Sequence, residues 1–432
     1  MRTRAEVGSS KWFGEIPDGW KMVPTSRAFS IAKGATITKA DLVENGTPVV
    51  NYGQVHSKAN SGTHLSKQLV RHVPDGFLPD GLTPAPLGSF IFASTSEDLA
   101  GCGACVYNDT ENIVWPGGDT CVLTPEASTE NKYFAYLFAT DVWRFQIRRD
   151  LVDVKVFHVN KGNLNDTYVV VPPNNEQRRI VSFLDGACEI IDADIAKRRK
   201  VIEKLGEYKK SVITRAVTKG LEPDVEMKDS EVEWIGAVPV SWRVTRGKYV
   251  YSLLSRPVCD SDEVITCFRD GEVTLRSNRR DEGFTFADKE VGYQGIEPGD
   301  LVVHGMDGFA GSIGISDSRG KATPVLRALD SGQNKRYLMY LLRSYAYLRV
   351  YLSIADGIRV RSCNLSWKKL AELDVILPPL SEQQRIVAFL DERCAAIDEA
   401  ISRQKQLIGK LEEYRKSLIH HAVTGKIDCR EA

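Results

Sequence analysis

The motif Pro172-Pro173-Asn174-Asn175-Glu176-Gln177-Arg178-Arg179-Ile180-Val181-Ser182-Phe183-Leu184-Asp185 returns 206 positions later as Pro378-Pro379-Leu380-Ser381-Glu382-Gln383-Gln384-Arg385-Ile386-Val387-Ala388-Phe389-Leu390-Asp391. The match continues without a gap through Lys204-Leu205 with Lys410-Leu411 and Glu207-Tyr208 with Glu413-Tyr414, ending at Ala216-Val217-Thr218 and Ala422-Val423-Thr424. Such similarity at one fixed shift means duplication, so any fold must contain the same unit twice. A second signal opens each half: Trp12-Phe13-Gly14 with Pro17 and Trp20 matches Trp234-Ile235-Gly236 with Pro239 and Trp242. The order is motif, body, helix, twice. Between these ends the bodies diverge, although Lys132-Tyr133 and Tyr136-Leu137 echo Arg336-Tyr337 and Tyr340-Leu341, and Ala100-Gly101 echoes Ala310-Gly311.

Each Pro-Pro closes an extended run, 168–171 and 374–377, because proline cannot donate to a strand ladder and biases its predecessor towards extended backbone. A helix then begins. Beyond Glu176 no proline occurs until Pro223, and apolar residues recur in steps of three and four at Val181, Leu184, Cys188, Ile191, Ile195, Ile202, Leu205, Val212 and Ala216. The shifted stripe is Val387, Leu390, Cys394, Ile397, Ile401, Ile408, Leu411, Leu418 and Ala422, and its polar interruptions correspond as well, Arg198 with Gln404 and Lys209 with Arg415. This is a heptad seam on a helix of about 60 Å, a length that needs a partner along it. Either the two seams pair with each other, or each packs on its own globular body.

At 432 residues the chain exceeds a single core. We divide it into a first body at 1–171, a long helix and linker at 172–228, a second body at 229–377 and a second long helix at 378–432. The bodies mix strand-like runs (89–93, 300–304) with helical stretches (133–148, 337–351), so the fold class is mixed α/β domains in tandem, joined by two long helices. No apolar run reaches bilayer length and the first residues lack a signal peptide's apolar centre, which makes the cytoplasm the expected location. The nine cysteines are scattered and are expected as free thiols. Lys plus Arg balances Asp plus Glu at 57 each, so any nucleic-acid surface must be local.

Catalytic signatures are missing from the sequence. There is no G-x-x-x-x-G-K-[ST] phosphate loop, and neither Pro-Pro pair has the Asp or Asn before it and the aromatic after it that an amino-methyltransferase uses. Pro223-Asp224-Val225-Glu226-Met227-Lys228 crowds the acids and lysine of a nuclease metal site into one linker, and Cys102-Gly103-Ala104-Cys105 has no second ligand pair, so we expect no catalytic residues and no metal. His158, His304, His420 and His421 have no nucleophile partner at motif spacing. Basic residues near the ends of the bodies are the candidate DNA contacts: Arg148, Arg149, Lys155 and Lys161 in the first, Arg279, Arg280, Arg359 and Arg361 in the second.

The Pro-Pro-x-x-Glu-Gln-x-x-Ile-Val-x-Phe-Leu-Asp openings, the Lys-Leu-x-Glu-Tyr-x-Lys-Ser segments and the linker from Lys219 to Gly236 resemble the specificity subunits of type I restriction-modification systems. The resemblance spans the chain, and the bodies match only in outline. It implies that each body is a target recognition domain reading one half of a split double-stranded DNA sequence. It also implies that the helices pair as an antiparallel coiled coil through Leu184, Ile191, Ile195, Ile202 and Leu205 on one and Leu390, Ile397, Ile401, Ile408 and Leu411 on the other. The helices would set the spacer and dock two modification subunits carrying S-adenosylmethionine, and two restriction subunits would add ATP- and Mg-dependent cleavage. The chain itself would be non-catalytic and hold no cofactor. A coiled-coil scaffold whose bodies bind proteins is the rival from another class, and a single-chain methyltransferase is the enzymatic one.

Overall fold

A computed structural model describes residues 7–10, 12–127, 130–149, 151, 156–279, 290–354 and 365–429. The two repeated motifs form helices Asn174–Lys219 and Leu380–Val423. Both start in the same way. The Gln177 side chain donates to the Pro172 carbonyl at 2.8 Å and Gln383 to that of Pro378 at 2.9 Å. Glu176 and Glu382 stand in the first turn, where a carboxylate is favoured by the helix dipole. They accept the indole N–H of Trp20 at 2.8 Å and of Trp242 at 3.0 Å. The two repeated signals are therefore two ends of one contact. Gly220 and Gly425 follow the helix ends with φ of +80° and +73°, a left-handed geometry that stops a helix at little cost for glycine.

By its contacts the chain divides into a first unit, Met1–Lys197 with Gln406–Ala432, and a second, Arg198–Lys405. In the first unit a four-stranded antiparallel sheet runs in the order Phe29–Lys33, Thr120–Pro125, Phe90–Ala93, Cys105–Tyr107. The second unit's sheet runs Ser252–Leu253, Leu326–Asp330, Leu301–His304, Ile313–Ile315. In both, the fourth strand in sequence lies between the first and the second, so the divergent bodies share one topology. A further pair closes each body, Lys21–Pro24 with Tyr168–Val171 and Arg243–Arg246 with Asp374–Leu377.

Each predicted helical stretch is two helices. Thr140 takes an extended backbone, donates its hydroxyl to the Leu137 carbonyl and divides Lys132–Phe138 from Asp141–Arg148. Arg349, at φ +60°, ends the continuity between Lys335–Tyr347 and Val350–Ser353. The first helix of each stretch anchors its body. Tyr133, fully buried, donates to the Val423 carbonyl at 2.9 Å, and Tyr337 donates to that of Val217 at 3.3 Å. Asp185 accepts from Lys132 and Tyr136, as Asp391 does from Arg336 and Tyr340. Every unit thus packs its body on the start of one long helix and the end of the other.

Within each unit the helix segments run antiparallel. In the first, Arg415 lies beside the Cys188 thiol and reaches Asp192 at 3.5 Å. In the second, Arg198 donates to Gln404 at 3.0 Å and Lys209 pairs with Asp398 at 2.6 Å, so rising numbers on one helix meet falling numbers on the other. Leu184, Ile191, Ile195, Leu390 and Ile397 are buried. Ile202, Leu205, Ile401, Ile408 and Leu411 are half-buried, the degree of cover that a facing helix provides without a body above it. Among the described residues no helix is long and apolar enough to cross a membrane.

Candidate nucleic-acid interface

In each sheet the second strand leads into a loop that the rest of the body holds in place. In the first unit this loop follows Phe90–Ala93 and ends at Cys105–Tyr107. Ser96 Oγ donates to the Asp98 carbonyl at 2.7 Å, and Asp98 Oδ1 accepts the Gly101 N–H at 2.6 Å. His56 Nε2 lies 2.8 Å from the Thr95 carbonyl. A Cβ at Gly101 would stand 2.4 Å from Ser96 Oγ, so the turn requires glycine. Leu99 is left exposed at the tip. Cys105 lies on the flanking strand with its thiol pushed up to about 12 by burial, and among the described residues no three His, Cys, Asp or Glu side chains gather as a metal site needs.

Of the four sequence candidates in this body, Arg148 touches the loop and Lys161 follows a strand paired with it. Arg148 donates to the Ala100 carbonyl at 2.6 Å and to Asp141 at 2.8 Å, which commits its guanidinium to the loop's inner side. Phe157–His158 pairs with Thr95–Ser96 at the loop's start, and exposed Lys161 follows three residues later. Arg149, exposed, lies over the Trp12 ring at 4.4 Å. Lys155 falls outside the described residues.

The corresponding loop of the second unit joins Leu301–His304 to Ile313–Ile315. His304 Nδ1 accepts the N–H groups of Met306 at 3.2 Å and Asp307 at 3.0 Å, which places any ring proton of the neutral imidazole on Nε2. Burial lowers the His304 pKa, against the opposing pull of Asp307. Arg269 donates to Asp307 at 3.0 Å and ties in the neighbouring loop, where Arg279 stacks on Phe268 at 4.1 Å and pairs with Asp270 and Glu272. The Leu365 N–H bonds the Gly305 carbonyl at 2.8 Å. Arg280, Arg359 and Arg361 themselves lie outside the described residues. Met306 is exposed at the tip.

Sequence reasoning missed Leu99, Met306, Arg269 and the anchoring histidines as parts of one arrangement. The signal was present in the Ala100-Gly101 and Ala310-Gly311 echo, which falls inside the two loops.

Residues 17–204 match the family of the type I restriction modification DNA specificity domain. The specificity subunit of the StySPI type I restriction enzyme of Salmonella potsdam is 20% identical over 441 residues, covering 96% of this chain and 91% of that one. That of the EcoBI enzyme of Escherichia coli is 22% identical over 448 residues, covering 96% and 88%. The chain is similar to type I restriction-modification specificity subunits along most of its length. Both relatives are named as specificity subunits of type I restriction enzymes. A solved chain from work on assembly and conformational transition of the type I R-M system has the same fold, with a TM-score of 0.67 at 17% identity over 95% of this chain and 99% of that one.

Proposed function

We propose that this chain is the DNA specificity subunit of a type I restriction-modification complex, without a catalytic site of its own, each body reading one half of a bipartite double-stranded DNA target through the loop after the second strand of its sheet. The observation that supports this reading is convergence: distant parts of each body meet at the equivalent loop, Arg148 and Phe157–His158 in the first unit and Arg269 in the second, although the bodies diverge in sequence. Lys161 and Arg149 in the first unit and Arg269 and Arg279 in the second are offered to phosphates or base edges, together with Lys155, Arg280, Arg359 and Arg361. Arg148 positions the loop. Side chains that differ between the loops would read different bases. The domains divide at 171, 228 and 377.

On this reading the long helices set the spacer and dock two modification subunits, which carry S-adenosylmethionine and methylate adenine. Two restriction subunits supply ATP- and Mg-dependent cleavage, and the assembly works in the cytoplasm. Titrating a fluorescent duplex with the assembled methylating complex at graded salt tests the proposal. Binding should weaken steeply with salt and tighten on a duplex carrying the target. Salt-independent or absent DNA binding would favour the protein-interaction scaffold instead.

A further inference from the structure

The two loops begin at equivalent stations, and the side chains beside those stations differ. In the first unit the Ser94 N–H bonds the Asp119 carbonyl at 2.8 Å, and in the second the Gly305 N–H bonds that of Val325 at 2.8 Å. The strand register agrees: Cys121 stands opposite Phe92 and Thr120 opposite Ala93, as Arg327 stands opposite Val303 and Leu326 opposite His304. Half-buried Arg327 thus occupies the place that buried Cys121 takes in the first unit. Its guanidinium reaches the start of the loop. A Cβ on residue 305 would overlap Arg327 Nη1, so the glycine there leaves the room that the guanidinium uses.

Arg327 carries a charge without a counter-charge. Nη1 donates to the Val325 carbonyl at 3.3 Å, a long bond to an acceptor that already takes the Gly305 N–H. Among the described residues no carboxylate pairs with it, whereas Arg269 is tied to Asp307 and Arg279 to Asp270 and Glu272. Burial lowers the Arg327 pKa, and its charge in turn helps to keep His304 neutral. A partly desolvated guanidinium with most of its N–H donors unspent gains when two coplanar acceptors meet it. Exposed, flexible cations serve for phosphates; a fork mounted on a sheet strand suits a planar base edge. Guanine presents such an edge in the major groove, with O6 and N7 side by side. We propose that Arg327 reads a guanine in the second body's half-site, donating from two guanidinium nitrogens to O6 and N7, and that the first body, with Cys121 at this station, makes no equivalent contact. The inference rests on the reading given above, in which the loops face DNA.

The test uses the full chain assembled with the modification subunits of its own system, its sites mapped by methylation-aware sequencing and its binding to labelled duplexes read by anisotropy. The second half-site should contain a G·C pair at which the native complex prefers guanine by roughly tenfold to a hundredfold. Arg327→Met keeps the apolar stem and should abolish that preference at the one position. The other positions of both half-sites, the salt slope and the melting temperature should hold. A duplex with 7-deazaguanine at that position, which lacks the N7 acceptor, should bind the native complex about tenfold more weakly and the Arg327→Met complex no differently. A second half-site without a G·C pair, or an undiminished preference in the variant, would overturn the proposal. So would uniform weakening on all sequences with a salt slope smaller by about 0.9, which marks a phosphate contact. Relaxed preference throughout the second half-site with a lowered melting temperature would overturn it too, by showing that Arg327 only supports the loop. Failure of the native complex to bind DNA at all would overturn the loop reading and the inference with it.

Discussion

Replacing Arg148 by alanine separates two roles that a basic residue at this position can have. Its guanidinium donates to the Ala100 carbonyl and to Asp141, with the Arg148 side chain 17% exposed and that of Asp141 82%. An ion pair to so exposed a carboxylate contributes less than about 0.5 kcal/mol. The charge-assisted bond to the carbonyl contributes about 1.5–3 kcal/mol. The substitution should therefore cost about 2 kcal/mol and lower the melting temperature of the first unit by roughly 4–8 °C. Discrimination at the first half-site should relax because the loop loses an anchor. The slope of log K against log salt should hold, since no phosphate contact is removed, whereas losing a phosphate-bound arginine would reduce its magnitude by about 0.9. Anisotropy of a labelled duplex with the assembled complex, beside a thermal melt, reads both quantities. A reduced salt slope with unchanged stability would refute the positioning role.

Three other outcomes follow from the same geometry. Tyr337→Phe removes a buried hydroxyl that donates to the Val217 and Ile376 carbonyls, and should destabilise the second unit by about 1–2 kcal/mol in denaturant melts; no change would show that the contact is idle. Because burial lowers the His304 pKa, the folded unit binds fewer protons than the unfolded chain; this contribution to stability is complete above the unfolded value near 6.5 and is lost as pH falls through the folded one. Melts of the native chain should weaken below about pH 6.5 more steeply than those of His304→Gln, and parallel profiles would contradict the assignment. Gly101→Ala should force Ser96 off the Asp98 carbonyl, costing about 1 kcal/mol and loosening the first half-site in methylation patterns; an unchanged pattern and melt would contradict the tight turn.

The helices were legible because their signals are local and repeated. The Pro-Pro openings, the seam spacing and the end of the match at Ala216-Val217-Thr218 and Ala422-Val423-Thr424 mark both ends within a few residues, and the same 206-residue shift carries one helix onto the other. The bodies yielded only their class. Their shared strand order depends on pairings such as Leu123 with Ile31 and Phe90, far apart in sequence and set by tertiary contact rather than period. The breaks at Thr140 and Arg349 were missed because neither residue is a helix breaker by type. Thr140 acts through its hydroxyl, and Arg349 through a left-handed backbone. At the candidate interface, charge and position in sequence singled out Arg148 and Arg279. Their acidic and carbonyl partners, on which their roles depend, lie in segments no motif connects to them.

The central claim, that the two bodies read DNA independently through their own loops, is tested most directly by exchanging residues 243–377 for the body of a related specificity subunit. The hybrid would be expressed with its modification subunits and the methylated sites mapped by methylation-aware sequencing. The account predicts a new second half-site beside an unchanged first half-site and spacer. Change in both halves, or in neither, would contradict it.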